Sequence, residues 1–165
     1  GFPSGGLQTN GFSLARRVIF DLCQYSWKDK LPGTNQTFGE ALLAVHKSFL
    51  KPVAKLLERK IKITGMAHIT GGGFPDNIPR VLPKAVNAEI DRSAWEVPTI
   101  FKFIQNQGKV DRDEMYRVFN MGIGYVVILP KNQLEKATNI LKAQHQSYSI
   151  IGVIRNGSGV VTYKN

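Results

Sequence analysis

The sequence predicts a single α+β domain, a layered α/β/α arrangement with a mixed sheet and a partly ferredoxin-like ending. The chain has 165 residues, of which 42% are hydrophobic and 21% charged, ordinary values for one domain with a proper core. Apolar spacing switches between helical and alternating periods along the chain. From Tyr125 onward the order is strand, helix, strand, strand, and no linker or repeat divides residues 1 to 165.

The first half of the chain is dominated by helical spacing. Apolar positions on one face predict a helix over residues 12 to 25, with Thr9 or Asn10 as the N-cap. Residues 38 to 60 keep the same spacing until Pro52 interrupts it. That proline predicts either a kink or a second helix that begins there.

A strand and three consecutive glycines follow. Residues 61 to 69 alternate between apolar and polar side chains, which predicts a strand with one buried face and places His68 on the other face. Gly71 to Gly73 come directly after it. Because glycine has no Cβ, such a run can turn bare amide groups toward a phosphate, and the alternative is an ordinary loop.

Prolines limit what can follow the glycines. Pro79 and Pro83 leave room for at most one helical turn, so anion binding would depend on the glycine amides more than on a helix dipole. Arg80 lies in this turn and has two possible roles. It can reach a phosphate, or it can pair with Asp76, four residues earlier.

The remaining elements are read from spacing and turn residues. Asp111 is the expected N-cap of a short helix, and Gly108 is expected just past the end of the preceding helix. Asn156-Gly157 predicts a hairpin between the last two strands. The other predicted elements are strands at 86 to 90, 125 to 129, 148 to 155 and 160 to 163, a helix over 98 to 108 and a helix capped by Asn132 and Glu135.

Composition limits the classes of function. With 22 Lys plus Arg against 12 Asp plus Glu, the net charge of +10 suits a polyanion, a phosphorylated small molecule or simply a lysine-rich surface. The basic residues are scattered, which disfavours nucleic acid. Cys23 is the only cysteine, on a helix face that favours a buried inert thiol, and a reducing cytoplasm is expected.

Other classes are disfavoured by missing patterns. No apolar run approaches the ~20 residues that a bilayer requires, and the first residues lack the layout of a signal peptide. His46, His68 and His145 do not have the spacing of metal ligands, so no metal ligand is predicted. No nucleophile elbow or Walker-type phosphate loop occurs.

Three collinear motifs resemble those of aminoimidazole ribonucleotide synthetase, also called phosphoribosylformylglycinamidine cyclo-ligase. Residues 68 to 83 read HITGGGFPDNIPRVLP, which is similar to a signature of that family. Residues 3 to 14 resemble its Pro-Ser-Ser-Gly-Leu-His-Ser-Asn-Gly-Tyr-Ser-Leu segment. Residues 114 to 124 resemble its Glu-Met-Tyr-Arg-Thr-Phe-Asn-x-Gly-x-Gly segment. Together the motifs extend over nearly the whole chain.

The resemblance implies a role in ATP-dependent ring closure, with formation of a C–N bond, in purine biosynthesis. ATP and formylglycinamidine ribonucleotide are the implied ligands, with Mg²⁺ held by ligands outside this chain. The residues implied in binding substrate or phosphate are Asn10, Ser13, His68, Thr70, Gly71, Gly72, Gly73, Asn77 and Arg80. Whether the glycines hold the phosphate of the substrate or of ATP is left open, and no catalytic residue is assigned.

The resemblance further implies that residues 1 to 165 are the C-terminal domain of a longer enzyme. The N-terminal half, with ATP and dimer contacts, would be absent, so the chain alone is expected to be inactive. A cytoplasmic homodimer is the implied full-length form.

Departures from the family pattern leave alternatives. Gln8 stands where the family usually has His, Thr9 where it has Ser, and Lys47 where it has Arg. Rival families with the same two-domain plan are selenophosphate synthetase, thiamine monophosphate kinase and the amidotransferase of the preceding step. A different class of function is a stand-alone module that binds nucleic acid or another polyanion.

Overall fold

The computed structural model describes residues 1–164, so residue 165, the last of the expected domain, lies outside the described residues. The strands are β1 (Phe2–Pro3), β2 (Gly65–His68), β3 (Val86–Asp91), β4 (Ile123–Ile128), β5 (Gly152–Asn156) and β6 (Val161–Lys164). The α-helices are α1 (Phe12–Arg16), α2 (Phe38–Leu42), α3 (Leu50–Glu58), α4 (Gly73–Asn77), α5 (Thr99–Gly108), α6 (Arg112–Val118) and α7 (Leu134–Ala143). Short 3₁₀ turns cover Pro79–Val81 and Lys131–Gln133.

The strands form two three-stranded sheets, which confirms the α+β class. One sheet is antiparallel, in the order β1-β4-β2, with His68 directly opposite Tyr125. The other is mixed, in the order β5-β3-β6. The single mixed sheet of the prediction is therefore divided into two.

The predicted hairpin at Asn156-Gly157 is wrong, because β5 and β6 do not pair with each other. Strand β3 lies between them, antiparallel to β5 and parallel to β6. The connection wraps around the start of β3, where the amides of Gly157 and Gly159 donate to the carbonyls of Ala85 and Val86. The side chain of Asn87 accepts two further amides from this connection.

The N-terminal helix forms where the apolar pattern predicts it, but its N-cap is not a predicted one. Helix α1 continues as a π-helix over Arg17–Leu22. Its N-cap is Gly11, with a φ of +81° and no side-chain cap, so the predicted caps Thr9 and Asn10 are wrong. Gly11 is required there because a Cβ would lie 2.2 Å from the ring of Phe119.

Pro52 marks a second helix, one of the two predicted alternatives. Helix α2 ends at Leu42 and α3 begins at Leu50, which places Pro52 in the first turn, where its missing amide costs no hydrogen bond. Two expected helix ends are wrong. Lys109, rather than Gly108, is the left-handed residue after α5, and Gln133, rather than Asn132, precedes α7 without a side-chain cap.

The sequence predicts little room for a helix after the glycines, at most the turn at Pro79–Val81, and helix α4 corrects that prediction. The helix begins inside the glycine run, with Gly72 as the N-cap. Pro75 is its third residue, a first-turn position that needs no amide donor. None of the helices in residues 1–164 is long and apolar enough to cross a membrane.

Arg92 joins three elements at the end of β3. Its side chain is 4% exposed, and its guanidinium carbon lies 3.7 Å from the ring centre of Tyr163 and 4.6 Å from that of Tyr116. The guanidinium also donates to the carboxylate of Asp113 on α6. Burial raises the pKa of Tyr163 to about 12, so this ring stays neutral beside the cation. Arg92 therefore fastens α6 to the mixed sheet.

We expect Arg92→Lys to lower the free energy of unfolding by about 2 kcal/mol, because lysine keeps the charge but loses the planar stacking on two rings. Urea denaturation measures this. Arg155→Lys is the matched control, since Arg155 is 66% exposed and lies 3.9 Å from Glu89; its effect should stay below about 0.5 kcal/mol. Equal effects of the two variants would contradict a role for the stacked guanidinium.

Candidate functional site

The candidate site is the loop between β2 and α4, with the N-terminal segment beside it. Ile69 is fully buried after His68, and the chain then turns through Thr70 and the three glycines. The amide of Gly73 donates to the carbonyl of Thr70, which closes the turn. Within the described residues, the amides of Gly71 and Gly72 donate to no protein acceptor. Two adjacent amides are thus free for an anion.

Each glycine lies close to a different group. A Cβ on Gly71 would lie 2.7 Å from the side-chain amide nitrogen of Asn10. Gly72 has a φ of +86°, and a Cβ there would lie 2.3 Å from the carboxylate of Asp76. A Cβ on Gly73 would lie 1.9 Å from the carbonyl oxygen of Tyr116. The loop therefore closely approaches the segment before α1, its own helix and α6, and at Gly73 the neighbour is backbone that a side chain could not displace.

Asn77 holds the loop from beneath. It is 5% exposed, and its Nδ2 donates to the carbonyls of Thr70, Gly71 and Gly73 at 3.3, 3.1 and 2.7 Å. Its Oδ1 accepts from the hydroxyl of Thr70 at 3.2 Å. The structure thus shows a supporting role for Asn77, while its contact with a ligand stays a prediction.

The charged residues near the loop do not pair in the way that the sequence suggested. Within residues 1–164, Arg80 and Asp76 form no ion pair. Arg80 is exposed on the 3₁₀ turn, which leaves it available to an anion. The Asp76 carboxylate lies beside Gly72 and would oppose a phosphate there, so the free amides and Arg80 have to outweigh it.

His68 lies on the open face of β2, as predicted, at the edge of an aromatic cluster. Its ring centre is 6.2 Å from those of Phe49 and Tyr125. The oxygen of the Gln8 side chain lies 3.2 Å from its Nε2. Burial, and then the nearby His46, lowers the pKa of His68 below its ordinary value, so the ring is neutral at pH 7.

The N-terminal segment brings Asn10 to the loop. Asn10 lies against Gly71 and accepts a hydrogen bond from the hydroxyl of Thr9. Ser13 is exposed one turn further on, in α1. No hydrogen bond or ion pair in residues 1–164 joins Ser13 or Arg80 to the other predicted residues, and their binding roles stay predictions.

Asn120 is a residue that sequence reasoning left unassigned, although it lies in a quoted motif. It is 5% exposed and fastens the N-terminal segment to the start of β4. Its Oδ1 accepts from the Ser4 hydroxyl and the Gly122 amide at 2.8 Å each, and its Nδ2 donates to the Gly6 carbonyl at 2.9 Å. The position of Gln8 and Asn10 depends on this attachment. In the sequence, Gln8 stands out only as a departure from the family pattern.

The described residues hold no metal-binding group, and the cavity that they form beside α7 is mainly apolar. Residues 1–164 hold no group of three His, Cys, Asp or Glu side chains that could bind a metal ion. A cavity of about 640 Å³ lies between β4, α7 and β5, but its wall is mainly aliphatic and excludes the glycine loop. The loop is therefore the better candidate for a phosphorylated ligand.

Curated relatives share one name. A protein of Caldanaerobacter subterraneus subsp. tengcongensis, "Phosphoribosylformylglycinamidine cyclo-ligase", is 48% identical over 161 residues, which cover 98% of this chain and 47% of the relative. The protein of that name from Alkaliphilus metalliredigens is 43% identical, over 96% of this chain and 45% of the relative. The chloroplastic/mitochondrial protein of Vigna unguiculata is 46% identical, over 97% of this chain and 40% of the relative.

The chain thus spans about half the length of the curated relatives it matches. The match to a family profile covers residues 1–164, which is the whole of the described part of the chain. The three motifs, the glycine loop and the N-terminal segment all lie within that range. The chain belongs to the family described as "AIR synthase related protein, C-terminal domain".

Proposed function

We propose that this chain is the C-terminal half of an ATP-dependent cyclo-ligase that converts formylglycinamidine ribonucleotide to aminoimidazole ribonucleotide in purine biosynthesis. The observation that carries the proposal is the match over nearly the whole chain to relatives that share the cyclo-ligase name. The other half of the active site, the Mg²⁺ ligands and the contacts of a cytoplasmic homodimer would lie in an N-terminal half.

Within this proposal, the glycine loop binds a phosphate group of the substrate or of ATP. The free amides of Gly71 and Gly72 donate to phosphate oxygens, and Arg80 adds a positive charge. ATP would supply the phosphoryl group that turns the amide oxygen into a leaving group, after which a nitrogen of the substrate closes the ring. Such a transfer depends mainly on positioning and electrostatics, which a rigid loop provides.

His68 and Asn10 line the cleft beside the loop in this proposal. His68 is neutral, so it contributes a hydrogen bond rather than a charge to a bound ligand. Asn10 is held against Gly71 and offers a carboxamide at the same edge. Since no acidic metal cluster lies in residues 1–164, Mg²⁺ fits this half poorly and no step is assigned to it here.

The alternative that the charge of +10 favours is a stand-alone module for a polyanion. Titration of the chain with random-sequence RNA and with a ribonucleotide monophosphate, each over a salt series, separates the two functions. Tight RNA binding that falls steeply with salt would support the module. Binding of the monophosphate with weak RNA binding would support the cyclo-ligase half.

We expect the 165-residue chain alone to show no ATP-dependent ring closure, because half of the proposed active site is absent. A longer protein that carries this chain behind an N-terminal cyclo-ligase half should show it. Formation of aminoimidazole ribonucleotide measures both reactions. Turnover by the chain alone at the rate of the longer protein would contradict the proposal.

Gly72→Val in the longer protein should lower kcat/KM about 100-fold, because the new side chain displaces Asp76 and the loop by an ångström or more. Gly33→Val is the matched control, with a φ of +79° and no atom within 4 Å of the added Cβ. Both substitutions strain the backbone to a similar degree and should lower stability for that reason, and only Gly72→Val adds the contact with Asp76. If their activities also fall alike, the loop is not part of the site.

Asn77→Asp should lower the free energy of unfolding by about 2 kcal/mol or more, because three carbonyls around this buried side chain lose their donor and face a carboxylate. Chemical denaturation measures the loss, and amide hydrogen exchange should rise at Gly73, whose amide donates to the Thr70 carbonyl. Asn106→Asp, on the exposed face of α5, is the control and should have little effect. Unchanged stability of the Asn77 variant would exclude it as the support of the loop.

A further inference from the structure

Gln8 is a buried polar residue with a single side-chain partner, His68. It is 7% exposed, and it lies in the segment between β1 and α1, sixty residues before the histidine. Its Oε1 lies 3.2 Å from the Nε2 of His68. Its Nε2 has no hydrogen-bond partner within the described residues. Because the buried carboxamide of Gln8 makes only this hydrogen bond, the contact with His68 fixes its position.

The space for Gln8 is created by Gly124 of β4. A Cβ at this position would lie 3.1 Å from the Nε2 of Gln8 and 2.6 Å from the ring of Phe49. The strand register places Tyr125, the next residue, directly opposite His68. The glycine therefore lets both Gln8 and Phe49 pack over β4 beside the imidazole.

The direction of this hydrogen bond decides the tautomer of His68. A carboxamide oxygen only accepts, so the Nε2 of His68 has to carry the hydrogen. In the neutral ring, Nδ1 then keeps its lone pair, on the other side of the ring from Gln8. The titratable groups that face the ring are His46, on the segment before α3, and Tyr125, on β4.

We propose that Gln8 is the positioning residue of His68, which it holds as the Nε2–H tautomer with Nδ1 as a fixed hydrogen-bond acceptor for a ligand. The importance of that acceptor for ring closure rests on the proposed function. The pairing of Gln8 with His68 does not rest on the proposed function. Because glutamine does not titrate, the direction of the hydrogen bond is the same throughout the physiological pH range.

The test uses the 165-residue chain with ¹⁵N-labelled histidine and reads ring nitrogen shifts against pH by NMR. In the unmodified chain at pH 8, His68 should show a protonated Nε2 and a bare Nδ1. His145 is exposed and provides the reference for a ring free to exchange tautomers. No nucleotide is needed, so failure of the ring-closure proposal would leave this result unaffected.

Two substitutions should shift the pKa of His68 in opposite directions. Gln8→Glu keeps the shape and adds a negative charge beside Nε2–H, so the pKa should rise by about one unit. Gln8→Leu removes the acceptor, so the pKa should fall and the tautomers should mix as in His145. Thr9→Glu is the matched control, an exposed neighbour that adds the same charge without the hydrogen bond.

Three results would overturn the proposal. The first is a protonated Nδ1 on His68 in the unmodified chain. The second is a shift in Gln8→Glu no larger than that in Thr9→Glu. The third is a rise of the pKa in both Gln8 variants, which a loss of packing alone would produce by exposing the ring to water. Amide spectra establish folding, and if Gln8→Leu does not fold, the near-isosteric Gln8→Glu decides the test.

Discussion

The close backbone contact between Gly73 and Tyr116 is the constraint on which the candidate site depends. The Tyr116 carbonyl occupies the space of a side chain on Gly73, so α4 and α6 meet backbone to backbone. Arg92 in turn fixes Tyr116 by stacking on its ring and on Tyr163. The position of the glycine loop is thus determined from the mixed sheet, through one buried cation. Disturbance of that cation would reach the loop without any contact between the two.

A second set of close approaches places the N-terminal segment along the other side of the loop. Asn120 binds this segment to the start of β4, and Gly124 opens the strand surface for Gln8. The motif that contains both residues therefore has a structural explanation. The motif attaches the N-terminal segment, which supplies side chains to the candidate site, although the motif supplies none itself. Spacing such as Asn-x-Gly-x-Gly encodes that attachment.

The sequence predicts the class and order of the elements well, because the spacing of apolar residues indicates which positions are buried, and those positions form the core. It fails where a local signal competes with distant contacts. Asn156-Gly157 has the chemistry of a tight hairpin, yet the amide of Gly157 donates to the carbonyl of Ala85, just before β3. The prolines after the glycines leave little room for a helix in the sequence prediction, yet α4 forms there with Pro75 in its first turn, where no amide donor is needed. Only tertiary contacts decide such cases.

At the candidate site, too, the sequence predicts which residue type is needed but not which group it contacts. Consecutive glycines predict a close approach, but nothing local reveals that Asn10, Asp76 and Tyr116 are the three groups approached. The loop also shows that the net charge of +10 is a poor guide to its ligand. Asp76 lies at the loop and Arg80 is exposed nearby, so the recognition of a phosphate would rest on the oriented amides. Directional donors suit a single phosphate group, whereas a polyanion is bound through many dispersed cations.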